Sequence, residues 1–169
     1  MKAKLIIEDK EIEVEISEEE YKKLQLSEEK KTGYERVPKN GHYFYEFGKG
    51  DVESDVEDCY DIDNEYYESA NYYSDKTVAE NNARADKLMR QLRRFSVEHR
   101  ECGVDFNNTN TKQYCIYYDY GNNTLGIAFT LCARVFGTIR FDSRGTAQAA
   151  IDKFHDELIW YFAEYKDSL

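Results

Sequence analysis

The chain has 169 residues, with 34 Asp and Glu against 23 Lys and Arg and a formal net charge of −11. That length holds one domain, or one domain with a small appendage, around a single sizeable core. The acidity argues against direct nucleic-acid binding, since duplex DNA itself carries about one negative charge per 1.7 Å, while fifteen Tyr, nine Phe and one Trp exclude a disordered solvating chain.

Further classes fall away on motif grounds. No apolar run approaches the roughly 18 residues of a membrane span, and charge recurring from Lys2 to Glu20 leaves no apolar leader segment. Cys59, Cys102, Cys115 and Cys132 include no CxxC pair and no His at ligand spacing, which speaks against zinc. The thiols are expected to be reduced, in a cytoplasm, with Cys115 and Cys132 as core residues. His42, His99 and His155 stand beside no Ser or Cys in a nucleophile pattern, and no glycine-rich phosphate loop exists. The reading is of a protein that is not an enzyme and needs no cofactor.

In chain order, residues 3–16 alternate as two strands with a turn near Asp9 and Lys10. Ser17 and Glu20 then form a capping box for a short helix over 18–24. Residues 1–25 are thus an N-terminal hairpin and short helix, too small to bury much alone, and 25–32 is a polar linker. The main domain begins near Gly33. Residues 34–37 read as a strand, and Pro38 to Gly41 as a turn in which Gly takes positive φ. A strand over 42–47 puts Tyr43, Tyr45 and Phe47 on one face. Gly48 and Gly50 turn the chain into a strand over 51–57, carrying Val52 and Val56.

A long helix is expected to about His99, capped by Ser74 or by Thr77 with Glu80. Val78, Ala85, Leu88, Met89, Leu92 and Phe95 form its apolar stripe, and Arg84, Lys87, Arg90, Arg93 and Arg94 a basic side. Gly103 ends this segment, and 105–111 is a loop. Strands follow over 113–120, 124–133 and 136–141, with a hairpin turn at Gly121 to Asn123. The final helix starts near Asp142 or Ser143, with a stripe of Ala147, Ala150, Ile151, Phe154, Leu158, Trp160 or Tyr161, Phe162 and Tyr165 that should cover the sheet.

The main domain repeats itself. Tyr73, Ser74 and Asp75, followed by Ala79, match Phe141, Asp142 and Ser143, followed by Ala147, at an offset of 68 residues. Upstream, the aromatic strand at Tyr43 matches the one at Tyr114. Residues 33–102 and 103–169 therefore read as two ββ(β)α units. The fold class is α+β: an antiparallel sheet with two main helices from a duplicated unit, plus the N-terminal appendage.

The two halves differ most in one place. Where the second has the apolar strand from Leu125 to Leu131, the first has residues 51–68, with nine acids and no Lys or Arg. Asp51, Glu53, Asp55, Glu57, Asp58, Asp61, Asp63, Glu65 and Glu68 are interleaved with Tyr60, Tyr66 and Tyr67. Asp61, Asp63 and Glu65 have the spacing of the first ligands of a calcium loop, but Tyr66 and Tyr72 stand where that loop needs Gly and Glu, so no metal is expected. Two readings stay open. One is a solvated edge strand whose charge blocks aggregation. The other is a nucleic-acid mimic, its carboxylates occupying an Arg/Lys groove and its tyrosines serving as contact anchors. The basic helix side has three open readings: a solvated face, a face self-paired with this stretch, or a phosphate-binding face acting with the sheet tyrosines Tyr114, Tyr118 and Tyr120 as a nucleic-acid-binding accessory protein, where those tyrosines otherwise read as core and sheet edge.

The run from Asn71 to Asp75 with Ala79, the basic helix, residues 113–120, and Ile139 to Ser143 with Ala147 and Asp156 to Leu158 resemble a broad family of phage and prophage proteins of Gram-positive bacteria. The likeness covers most of 33–165, and the opening at Glu11 to Ser17 is similar too. It implies a host-cell cytoplasmic setting and, since small acidic phage proteins resemble inhibitors of host defence, an anti-CRISPR role. The implied partner is a basic host protein, a Cas nuclease such as Cas9, whose channel holds a heteroduplex.

Overall fold

The computed structural model describes residues 2–7, 10–17, 19, 31–100, 108, 110–131, 133 and 135–167. The chain separates into two compact units, Met1–Thr32 and Gly33–Leu169. In the first, β1 (Lys2–Ile7) pairs antiparallel with β2 (Lys10–Glu15), Leu5 opposite Ile12. The helix expected over 18–24 falls, except for Glu19, outside the described residues.

The second unit is α+β. Tyrosine-rich alternation builds β3 (His42–Phe47), which pairs antiparallel with β4 (Asp51–Val56). A short helix α1 (Asp61–Glu68) and a long helix α2 (Lys76–Glu98) follow. Then β5 (Gln113–Asp119) pairs antiparallel with β6 (Thr124–Thr130), and helix α3 (Arg144–Ala163) closes the unit. The strands form separate two-stranded pairs rather than one sheet.

Each hairpin is tied to the start of a helix in the same way. Phe44 and Tyr73 exchange two backbone hydrogen bonds of 2.9 Å, as do Tyr114 and Phe141. Two residues beyond each bridge stands the helix N-cap: Asp75 accepts from the Val78 amide, and Ser143 from the Thr146 amide. The cap of α2 is thus neither Ser74 nor Thr77. The Ser74 hydroxyl is spent on Glu35, and Thr77 already lies inside the helix.

Along α2 the apolar stripe serves two cores. Val78 and Ala79 bury with Tyr73 against Tyr34, Phe44 and Val52. Farther along, Leu88, Leu92 and Phe95 join Phe141, Ala147, Ala150, Ile151 and Leu158, with Ile116, Leu125 and Ile127 from the second hairpin. Helix α3 is interrupted at Phe154 (φ −114°, ψ 23°), yet Phe154, Leu158, Tyr161 and Phe162 all pack on this core, while Trp160 is buried beneath Arg84.

Two expected strands do not form. Residues 34–37 lie across the start of α2, held by side chains: the Glu35 carboxylate accepts from the Gly33 amide and the Ser74 hydroxyl. Gly33 has φ +92°, and a Cβ there would stand 2.7 Å from Val78 Cγ2, so only Gly fits. Over 136–141, Gly137 (φ +76°) breaks the extension and Phe141 alone bridges. In the 38–41 turn Asn40 takes the positive φ, 66°. Gly41 serves another purpose: its Cβ would sit 2.8 Å from the Pro38 carbonyl oxygen, which accepts the Gly41 amide at 2.7 Å.

Candidate binding surface

Residues 51–68 are not one extended ribbon. They comprise a strand, a turn and a helix, folded back so that the β3–β4 hairpin carries different neighbours on its two faces. Cross-strand register puts Tyr43 opposite Asp55, Tyr45 opposite Glu53 and Phe47 opposite Asp51. Side chains alternate across a sheet, so the other face bears Phe44 and Val52, which pack on α2. The tyrosine face receives α1: Tyr66 stacks on Tyr45 at 4.3 Å, and the Tyr43 hydroxyl donates to Asp63 at 2.9 Å.

The twelve candidate residues divide by burial. Glu57 and Asp63 are interior, 1% and 2% exposed, so they brace the fold and do not present charge to a partner. Tyr66 is half-buried. Asp51, Glu53, Asp55, Asp58, Asp61, Glu65 and Glu68 are exposed, with Tyr60 and Tyr67 beside them. None of these seven carboxylates forms an ion pair among the described residues. Glu53 accepts a hydrogen bond from the Tyr45 hydroxyl at 3.2 Å, which fixes its position without neutralising it.

Glu57 is the centre of the brace. Its two oxygens accept from the Arg36 guanidinium at 2.8 and 2.9 Å, from the Tyr72 hydroxyl at 2.9 Å and from the Cys59 amide at 2.9 Å. Its backbone closes the hairpin base, donating to Gly41 and accepting from Asn40. The Arg36 hydrogen bonds, with those from Tyr72 and Cys59, hold the Glu57 carboxyl down at about 2, against the opposing effect of burial. Burial first, and then the bond to Glu57, pushes Tyr72 up to about 12.

Asp63 does the corresponding work one turn later. From the third position of α1 it reaches back to the Tyr60 amide at 2.9 Å and the Asp58 amide at 3.1 Å, in addition to Tyr43. An acid at this position satisfies orphan amides and suits the helix dipole. Burial, then Asp63, pushes the Tyr43 hydroxyl well above its ordinary range. Asn71 completes the frame. Its side-chain amide exchanges two hydrogen bonds, of 2.8 and 3.0 Å, with the backbone of Glu46, standing in for a strand neighbour.

Arg36, Tyr43, Asn71 and Tyr72 are the site residues that sequence reasoning missed as such. Arg36 and Glu57 stand 21 positions apart with no local pattern between them. The signal that was there to be used is the acid at position 63, three residues after Tyr60, at capping-box spacing.

The basic side of α2 is not the partner of the acidic stretch. Arg84 forms a bidentate pair with Glu157 while stacking over Trp160 at 3.9 Å; Arg90 pairs with Glu46, and Arg94 with Glu98. Lys87 and Arg93 form no ion pair among the described residues. The tyrosines of the second hairpin are similarly engaged. Tyr118 stacks parallel to Phe162 at 5.9 Å, and the Tyr120 hydroxyl donates to the Phe162 carbonyl at 3.1 Å. Tyr118 thus packs on α3, while the Tyr120 ring is tied to α3 by its hydroxyl and is otherwise 71% exposed.

Asp61 and Glu65 stand within a helix together with Asp63, and no group of metal-ligating side chains is gathered among the described residues. No helix among them is long and apolar enough to cross a membrane. No family model matches the chain, and neither a curated protein nor a solved structure is similar to it.

Proposed function

We propose that the protein is a phage-encoded inhibitor that occupies the basic nucleic-acid groove of a host defence protein, in the bacterial cytoplasm. A Cas nuclease such as Cas9 is the partner class implied by the resemblance to phage proteins. One observation supports this reading above the others: seven exposed carboxylates, unpaired among the described residues, stand on a hairpin–helix whose geometry is fixed by two buried ones.

The physical argument has three parts. Carboxylates at Asp51, Glu53 and Asp55 recur along one face of a strand, about 6.6 Å apart at two residues per repeat, and so form a regular row of negative charge. Fixing that row through Glu57 and Asp63 removes ordering cost from binding. Net charge and focused acidity steer a basic partner and set its orientation. Exposed Tyr60 and Tyr67 add flat amphipathic contact area, the type of side chain on which interfaces concentrate their energy.

The test is capture of the candidate nuclease by the immobilised protein, with and without competing guide-paired DNA. Mutually exclusive capture is expected. Simultaneous binding of protein and DNA at the groove would remove the mimic mechanism.

A further inference from the structure

β6 is the least guarded strand of the second unit. The outer side of β3 is closed by Tyr73 and the Asn71 amide, and that of β5 by Phe141. On β4 the strand bears Asp51, Glu53 and Asp55, the kind of charge that blocks edge pairing. Among the described residues nothing pairs with the outer side of β6. Its sequence, Thr124, Leu125, Gly126, Ile127, Ala128, Phe129, Thr130, holds no charge in a chain that is 34% charged. Nor does it carry a Pro, and its register with β5 runs unbroken from Asp119–Thr124 to Gln113–Thr130, without a bulge. Charge, Pro and bulge are thus all missing from this edge, and among the described residues the hairpin has only two strands.

The order of side chains also specifies the occupant. Read from either end, the strand runs polar, large, small, large, small, large, polar about Ile127. We propose that β6 pairs antiparallel with β6 of a second copy of this chain, on a two-fold axis at Ile127, making a four-stranded sheet. In that register Thr124 faces Thr130 of the second copy, Leu125 faces Phe129, Gly126 faces Ala128, and Ile127 faces itself. These are threonine, large apolar and small pairs, each matched in kind. An isologous contact of this sort is self-complementary by construction.

Two further features fit the pairing. Phe129, on the strand, and Leu131, just beyond it, are 52% and 42% exposed. The Tyr117 ring lies across Gly126, so close that a Cβ there would stand 2.4 Å from its Cζ. The small Gly126–Ala128 pair leaves space for the two Tyr117 rings near the axis. An uncharged strand is also where two copies of net charge −11 meet with the least local repulsion. The acidic row lies on the other hairpin, so the inference stands independently of the proposed function.

The experiment is sedimentation equilibrium over a wide concentration range at low salt, on three proteins with folding checked by circular dichroism. The wild type is expected to dimerise. T124K with T130K places like charges directly opposite one another, as does T124E with T130E, and each double variant should weaken self-association by roughly tenfold. An equimolar mixture of the two double variants should restore it, because each Lys then faces a Glu. A wild type that stays monomeric overturns the proposal, including by leaving the edge to a foreign strand. Dimerisation unchanged in both double variants, or not restored on mixing, overturns the register and with it the proposal.

Discussion

The Tyr43 and Tyr72 rings stack 4.2 Å apart at an interplanar angle of 11°, and their hydroxyls donate to different buried carboxylates, Tyr43 to Asp63 and Tyr72 to Glu57. The stacked pair therefore couples the hairpin base, where Glu57 sits, to the start of α1, where Asp63 sits. Tyr67 meets Tyr72 edge-on at 5.4 Å, with the Arg36 guanidinium over its ring. Exposed acids before and after the turn are thereby held in one frame.

Removing either hydroxyl leaves a buried carboxylate one donor short. Y43F and Y72F should each cost about 1–3 kcal/mol, the penalty for an unsatisfied buried polar group. Y72F also strips the Val37 amide of its acceptor. Because the rings touch, the double variant should depart from additivity by about 0.5 kcal/mol or more. Urea unfolding of the four proteins measures this; strict additivity with small single effects would show that the network is not coupled.

Stability should fall at both ends of the pH scale. Glu57 titrates at about 2 in the folded chain against an ordinary 4.5, so its contribution is fully present above about 4.5 and is lost as pH falls through about 2. Tyr72 titrates at about 12 against an ordinary 10.0, so its contribution is present below about 10 and is lost as pH rises through about 12. Unfolding free energy measured against pH should show both limbs. Glu57→Gln should flatten the acid limb and lower stability near neutrality, since an amide offers one acceptor oxygen where the carboxylate holds Arg36, Tyr72 and the Cys59 amide. An unaltered acid limb in that variant would assign the limb to other carboxylates.

Cys59 stands at φ +62° in the turn between β4 and α1, with an exposed side chain. A non-glycine residue there carries about 1 kcal/mol of strain. Cys59→Gly keeps the amide that Glu57 accepts and should raise the melting temperature by about 3 °C. A fall in melting temperature would mean that the thiol makes a contact worth more than the strain.

The two helix caps give a paired test. Asp75→Ala and Ser143→Ala should each cost about 1 kcal/mol, whereas Thr77→Ala, inside the first turn, should cost only tenths. Equal effects at Asp75 and Thr77 in thermal unfolding would contradict the observed cap.

What the sequence showed plainly was regular alternation and regular stripes. Tyr43, Tyr45 and Phe47 marked one face of β3, and Val78, Leu88, Leu92 and Phe95 marked the buried side of α2, because each pattern repeats at the period of its element. Helix α1 was not legible. Its Asp, Asn and Tyr residues are weak helix formers, and it is held by long-range contacts, Asp63 to Tyr43 and Tyr66 to Tyr45. The Arg36–Glu57 pair was invisible for the same reason. Of the acidic stretch, composition revealed the charge but not its division into an outward row and an inward brace. The spacing of Asp63 after Tyr60 hints at its role, but only the fold separates Glu57 from its neighbours.

That division is the central claim, and the salt dependence of binding to the proposed nuclease partner tests it most directly. The affinity of the wild type is compared with that of a variant neutralised at Asp51, Glu53, Asp55, Asp58, Asp61, Glu65 and Glu68 as the amides, with Glu57 and Asp63 left intact to preserve the brace. The wild type should bind tightly at low salt and weaken steeply as salt rises, as an electrostatic contact does. The folded variant should bind weakly with a nearly flat salt dependence. Equal affinity and equal salt dependence in the two proteins would contradict the account.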